Sequence, residues 1–197
     1  MVFIIVKDGV SNQNALLMTA AKPAGTIGDF MVWELSNRAD TKARELADRH
    51  YNRQHIGSRQ FVPPGRCLVL YAQIDTGKAL WVTSWPFAEY TKHAWAGAWV
   101  CSAFRNEGAG RTSDLIREAV AATRYYFGEP PVLGMITFID SQKVRPTMTR
   151  GIKTWGYTYQ LAGFLPVGKT KSGLLAFQMT PDKMPPAEPA LLTQMAL

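Results

Sequence analysis

Residues 101–120 read CSAFRNEGAGRTSDLIREAV, an apolar run that passes through a glycine-bearing turn into a helical pattern. Gly108 and Gly110 follow Arg105 closely, and Thr112 and Ser113 stand where a helix begins. Such a turn can aim several backbone N–H groups, and the positive end of a helix dipole, at one anion. Phosphate is the natural candidate; a glycine loop that merely caps a helix is the alternative.

Working outward, the helix begun at Ser113 carries Leu115, Ile116, Ala119, Val120, Thr123 and Phe127 on one face and stops at Gly128, with Pro130 and Pro131 beyond it. VLGMITFID, ending at Asp140, is an almost unbroken apolar run and predicts a central strand buried on both faces. SQKVRPTMTRGIK follows as a basic loop. TWGYTYQLAGF predicts a short helix closing at Gly163, and LLAFQM a last strand.

Toward the N-terminus, AWAGAWVCSAF reads as the strand entering the glycine turn. CLVLYAQ and KALWVTSW, on either side of Asp75, Thr76 and Gly77, predict a hairpin. Across residues 40–55, Ala43, Leu46, Ala47, His50 and Tyr51 fall at helical spacing with Asp40 as N-cap, which turns His50 and Tyr51 inward near the helix end. Strands are also expected at residues 1–6 and 31–35. The order gives an α/β fold, a mixed sheet with helices on its faces.

The 197 residues fit one domain, expected over 1–180, with an extended, proline-bearing tail over 181–197. An apolar content of 47% and a charged content of 19% exclude wholesale disorder. A net charge of +7 favours a polyanionic partner, with plain solubility as the alternative. Cys67 and Cys101 lie in apolar stretches and read as small buried hydrophobes without zinc-type spacing. No run resembles a signal peptide or a membrane span, so the expected setting is cytoplasmic with no membrane partner.

The turn from Arg105 to Gly110 matches Arg/Gln-x-x-Gly-x-Gly/Ala between a strand and a helix, and here the chain resembles the GNAT acyltransferase fold, whose turn binds the pyrophosphate of acetyl-coenzyme A. That resemblance implies a GNAT-like mixed sheet and a donor held by Arg105, Gly108, Ala109, Gly110, Thr112 and Ser113, whether acetyl-CoA or another pyrophosphate-bearing molecule. A narrower resemblance, over most of residues 40–180, rests on RHYNRQHIGSRQFVPPGRCLVL, ALWVTSWP and MITFIDSQKVRPTMTRGIKTWGYTYQLAGFLPVGKTKSGLLAFQ. These stretches look like the Mom type of phage DNA-modification proteins. Such proteins place a carbamoylmethyl group on the N6 amine of adenine in DNA, which protects phage DNA from restriction.

The resemblance implies functional roles for His50, Tyr51 and Asp140. An exocyclic amine is a weak nucleophile and needs a proton acceptor, while the leaving group or oxyanion needs a donor. His50 suits the first role and Tyr51 can donate or stack on a base; Asp140 can orient His50, take the proton or join His50 in holding a divalent metal. Each residue type has a plain structural alternative, as a bonded core histidine, a core tyrosine, or a turn aspartate.

Modifying a paired adenine requires flipping it out of double-stranded DNA, with Tyr51, Trp85, Trp155 and Tyr157 as candidate stacking partners. Arg49, Arg53, Arg59 and Arg66 on one side, and Lys143, Arg145, Arg150 and Lys153 on the other, bracket these positions and have the composition of phosphate contacts. The loop from Gly57 to Gly65 could clamp DNA or simply connect. Two further readings stand: an N-acetyltransferase acting on a small-molecule or protein amine, and a catalytically silent DNA-binding protein.

Overall fold

The structure, a computed structural model, describes residues 31–191. The strand expected at residues 1–6 lies outside them. Over the described residues the protein is mixed α/β, built on a seven-stranded and mostly antiparallel sheet.

The elements are β1 (Glu34–Ser36), α1 (Thr41–Asp48), β2 (Arg66–Ile74), β3 (Gly77–Trp85), β4 (Trp99–Glu107), α2 (Thr112–Phe127), β5 (Met135–Ile139), β6 (Thr147–Thr149), β7 (Ile152–Thr154), α3 (Tyr157–Ala162), β8 (Leu165–Lys169) and β9 (Leu175–Met179). The main sheet runs β1-β2-β3-β4-β5-β9-β8, and β6 and β7 form a separate two-stranded sheet. Among the pairings of the main sheet only β4 with β5 is parallel; α2 makes the crossover between them.

Side-chain alternation on β2 and β3 sorts two cores. Leu68, Leu70, Ala72, Ala79 and Trp81 pack with Leu115, Ile116, Ala119 and Val120 of α2. Val69, Tyr71, Leu80 and Val82 pack instead with Ala43, Leu46 and Ala47 of α1. A sheet covered on both sides needs strands apolar at nearly every position, as VLGMITFID and CLVLYAQ are. Where the α2 core must bury hydroxyls it pairs them: Thr83 and Thr123 Oγ1 atoms lie 3.1 Å apart, and Thr123 donates to the Ala119 carbonyl at 2.7 Å.

Asp40 caps α1 as expected, its carboxylate accepting from the N–H groups of Lys42 and Ala43. The helix nevertheless ends at Asp48, so the expectation of helix through residue 55 is corrected. The Asp48 carboxylate accepts from Arg53 Nε at 2.7 Å and from the Gly57 N–H at 3.0 Å, which folds the following residues into a turn. His50 and Tyr51 therefore project from that turn and not from a helical face.

The basic loop 141–153 contains the β6–β7 hairpin, and β8 precedes the last strand; neither stood out as a strand in the sequence. Of the expected tail, residues 181–191 form a short 3-10 turn and then an extended strap. Arg124 Nη1 donates to the Pro185 carbonyl at 2.8 Å, and Leu191 exchanges backbone bonds with Trp33 and Leu35 beside β1. Among the described residues no helix is long and apolar enough to cross a membrane.

Candidate active site

β4 and β5 pair only where Trp99, Val100 and Cys101 face Met135, Ile136 and Thr137. Beyond Cys101, β4 continues bonded to β3 alone and diverges from β5. A parallel pair that separates leaves a slot through the sheet. The slot holds a cavity of about 330 Å3, with His50, Phe104 and Arg105 on its walls and Cys101, Thr137 and Tyr159 among its lining. A second cavity, of about 650 Å3, shares Tyr51, Asn52, Cys101, Ser102 and Phe138 with the first and adds Asp140, Lys143 and Leu174. The two cavities are neighbours with these five residues in common.

The turn after α1 presents its residues to this opening because it is tied from both sides. Arg53 donates to the carbonyls of Ser58 (2.7 Å) and Gln60 (2.8 Å), and Arg105 Nη1 donates to the Arg49 carbonyl at 2.6 Å. Held there, His50 Nδ1 lies 2.5 Å from Asn52 Oδ1, and Asn52 Nδ2 donates to the Ser102 carbonyl at 3.1 Å. With the Asn52 amide nitrogen committed to Ser102, its oxygen faces Nδ1 and favours the tautomer with the proton there, against the longer contact of 3.4 Å that the Asn52 backbone N–H makes with the same nitrogen. That leaves Nε2 as the basic nitrogen. Burial lowers the His50 pKa below its ordinary 6.5, the Asn52 hydrogen bond opposes this, Arg105 adds to it, and the Phe104 carbonyl favours the protonated ring. His50 is therefore neutral at physiological pH yet has an acceptor waiting for its imidazolium.

Tyr51 packs against His50 with ring centroids 4.5 Å apart and donates its hydroxyl to the Phe138 carbonyl at 3.2 Å. Its pKa is raised, chiefly by burial. Asp140 lies in the larger chamber only; it accepts from the Gln142 N–H at 2.9 Å and faces Lys143 Nζ at 3.7 Å. The partner that orients His50 is thus Asn52, while Tyr51 lines both chambers and connects the His50 side to the Asp140 side.

Tyr159, Cys101, Asn52 and Ser102 join the site without having been singled out in the sequence for it. The Tyr159 hydroxyl lies 3.6 Å from Cys101 Sγ. Burial raises the Tyr159 pKa well above 10.0 and pushes the Cys101 thiol up to about 12. Both remain protonated, which leaves Tyr159 a hydrogen-bond donor and disfavours Cys101 as a nucleophile. Tyr159 looked like one more residue of a short helix; only the strand separation reveals where that helix aims it.

The glycine turn is closed rather than open. Asn106 Oδ1 accepts from the N–H groups of Gly108 (3.1 Å) and Ala109 (2.9 Å), while its Nδ2 donates to the Gly110 carbonyl (2.9 Å) and Thr112 Oγ1 (3.0 Å). Gly108, at φ +92°, presses on the β2–β3 turn, and a Cβ there would meet the Thr76 carbonyl oxygen at 2.7 Å. Arg105 Nε and both ends of the Arg49 guanidinium bind the Glu107 carboxylate, which Arg49 above all holds down at about 2. Two of the N–H groups that a pyrophosphate would use, and the Arg side chain of the pattern, are already engaged. In this conformation the turn does not fit a pyrophosphate, although no side chain caps the α2 N-terminus near Thr112 and Ser113. Among the described residues no three His, Cys, Asp or Glu side chains gather as a metal site, and His50 and Asp140 line different cavities.

The two basic groups differ. Arg49 is in its ion pair with Glu107 and Arg53 is in one with Asp48. Arg66 donates to the Tyr126 carbonyl and lies over the rings of Trp85 and Phe127, at 5.1 and 4.5 Å from their centroids. Arg59 is exposed, as are Lys143, Arg145, Arg150 and Lys153. Trp85 is packed among Trp99 and Phe127, and Trp155 against the core with its Nε1 on the Val144 carbonyl, so neither offers a free ring face at the cavity. In the 57–65 loop, Val62 is buried against α1.

No family model matches the chain, and neither a curated protein nor a solved structure matches it.

Proposed function

We propose that this protein is a GNAT-like transferase that adds a carbamoylmethyl-type or acyl group to the N6 amine of adenine in DNA. The observation that carries this reading is the separation of the parallel strands β4 and β5 beyond Cys101, with a neutral histidine on one wall and a protonated tyrosine in the lining. The order β4, glycine turn, α2, β5 supports the likeness to that fold.

In this reading the larger chamber takes the flipped adenine, with Tyr51 in its lining and Asp140 and Lys143 at its polar side. The amine approaches the residues that both cavities have in common. Attack forms a bond from N6 to the electrophilic carbon of the donor and breaks that carbon's bond to its leaving group. His50 Nε2 takes the N6 proton, and the Phe104 carbonyl accepts from the resulting imidazolium. The Tyr159 hydroxyl donates a hydrogen bond to the departing group, which leaves with the electron pair of the broken bond. Asn52 fixes the tautomer on which the proton transfer depends.

The test is to express the protein in bacteria, digest host and plasmid DNA to nucleosides, and search by mass spectrometry for a heavier deoxyadenosine. A new species that disappears with Asp140→Ala and with His50→Asn is the expected result, and its mass names the group transferred. Unmodified DNA from soluble, folded protein sinks the proposal in favour of a small-amine acetyltransferase or a silent DNA binder.

A further inference from the structure

Residues 141–156 contain four cations and no carboxylate. All four, Lys143, Arg145, Arg150 and Lys153, are exposed, and among the described residues only Lys143 has an acidic partner, Asp140 at 3.7 Å. Three of the four cations on the other side, Arg49, Arg53 and Arg66, are taken up by Glu107, by Asp48 and by carbonyls and ring faces. Of the two basic groups that bracket the site, the one on β6–β7 and its stem therefore holds more of the unpaired positive charge among the described residues.

The hairpin is planted at the site. Its chain leaves from Asp140 and Lys143, which line the larger chamber, and from Val144, which lines the smaller. Trp155 closes the stem by donating Nε1 to the Val144 carbonyl at 3.2 Å, and four residues later Tyr159 lines the smaller chamber. At the tip, Arg150 and Gly151 take φ values of +49° and +78°, the paired left-handed geometry of a tight hairpin turn. An arginine is a strained choice there, since asparagine or glycine adopts that conformation more readily; it places a guanidinium at the far end. Beside it Ile152 is 68% exposed, and Met148 on the facing strand is 59% exposed.

Resting on the adenine-modifying reading, we propose that β6–β7 is the element that grips duplex DNA, its cations on the phosphates and Ile152 wedged into the base stack where the target adenine leaves it. Three residue steps at about 3.4 Å each give a reach of roughly 10 Å from stem to tip. That spans a minor groove about 6 Å wide. An apolar side chain inserted at a base step offsets the unstacking that flipping demands. An anionic membrane would attract the same cations, but two apolar side chains bury too little to hold a bilayer, and the attachment at the cavity mouth would serve nothing there.

The experiment is fluorescence anisotropy of the full chain with a labelled mixed-sequence duplex over a range of salt. Arg150→Asn, which keeps the left-handed turn, and Lys153→Gln are each expected to reduce the slope of log K against log salt by about 1; the charge-matched control Lys42→Gln is expected to leave it unchanged. Ile152→Ala is expected to leave the slope and weaken binding to paired duplex by about fivefold or more, with a smaller loss on a duplex carrying a mismatch at one adenine. Hairpin variants that bind as the wild type does overturn this proposal; if they still yield modified deoxyadenosine, the adenine-modifying reading survives. Hairpin-dependent binding with no modified nucleoside overturns that reading and leaves the grip. Binding to phosphatidylserine vesicles without binding to duplex overturns both.

Discussion

At the residue scale, His50 shows how one neighbour sets a chemical role. Burial lowers its pKa, so the folded state favours the neutral ring, and the associated stability is present above 6.5 and lost as pH falls through the lower folded value. A rate that needs neutral His50 should therefore hold to below pH 6.5. The expected result is an acidic limb of the modification rate below that pH, moving lower still in Asn52→Ala, where a hydrogen bond that raises the pKa is gone. Tyr159→Phe keeps the ring and removes the hydrogen-bond donor; a fall in rate of about 10²-fold or more, with unchanged thermal unfolding, is expected. Gly108 carries a prediction about stability. Alanine there meets both a positive φ and the Thr76 carbonyl, and a loss of about 2 kcal/mol or more is expected in urea unfolding.

At the element scale, the strap after β9 binds pieces that are far apart in sequence. Glu188 N–H donates to the Ala121 carbonyl of α2 and Leu191 pairs beside β1, while Met184 and Ala190 are buried at 6% and 4% exposure. Removing residues 181–197 uncovers a methionine-sized apolar surface and the Arg124 partners. A loss of about 2–4 kcal/mol is expected, read as a lowered unfolding midpoint in urea, while β4, β5 and the cavity between them stay folded. The α1 turn is the other element that decides function. Its helix was legible from the spacing of Ala43, Leu46 and Ala47 and from the Asp40 cap. Its end was not, because Asp48 reaches forward to Arg53 and Gly57, and such a contact leaves no periodic trace.

At the scale of the whole molecule, Glu118 sits on the seam where α2, the first described strand region and the strap meet. Its carboxylate accepts from the Val32 N–H at 3.1 Å, and burial, with Glu188 and Asp114 nearby, raises its pKa from 4.5 to about 7. A raised carboxyl pKa favours folding below 4.5, and this contribution fades as pH climbs from 4.5 to 7. Glu107 acts in the opposite sense: held at about 2, it favours folding above 4.5, and the contribution fades as pH falls from 4.5 toward 2. The expected profile falls on the acid side through Glu107 and declines toward neutrality through Glu118. Glu118→Gln should flatten the decline between pH 4.5 and 7 in thermal unfolding curves, and an unaltered slope would contradict this account.

The sequence by itself determined the long helix with its Gly128 stop, the hairpin about Asp75 and Thr76, the buried strand ending at Asp140 and the short helix closing at Gly163. Periodicity, turn chemistry and capping are local, and each can be read within a dozen residues. It also marked His50 and Tyr51 and the stretch rich in cations. Tertiary structure alone decided that β4 leaves β5 after Cys101, that Tyr159 faces the gap, that Asn106 fills the glycine turn, and that the arginines near His50 are engaged while those of the β6–β7 hairpin and its stem have no acidic partner among the described residues. Those are questions of which groups meet across the fold, and a side chain's availability depends on partners far away along the chain.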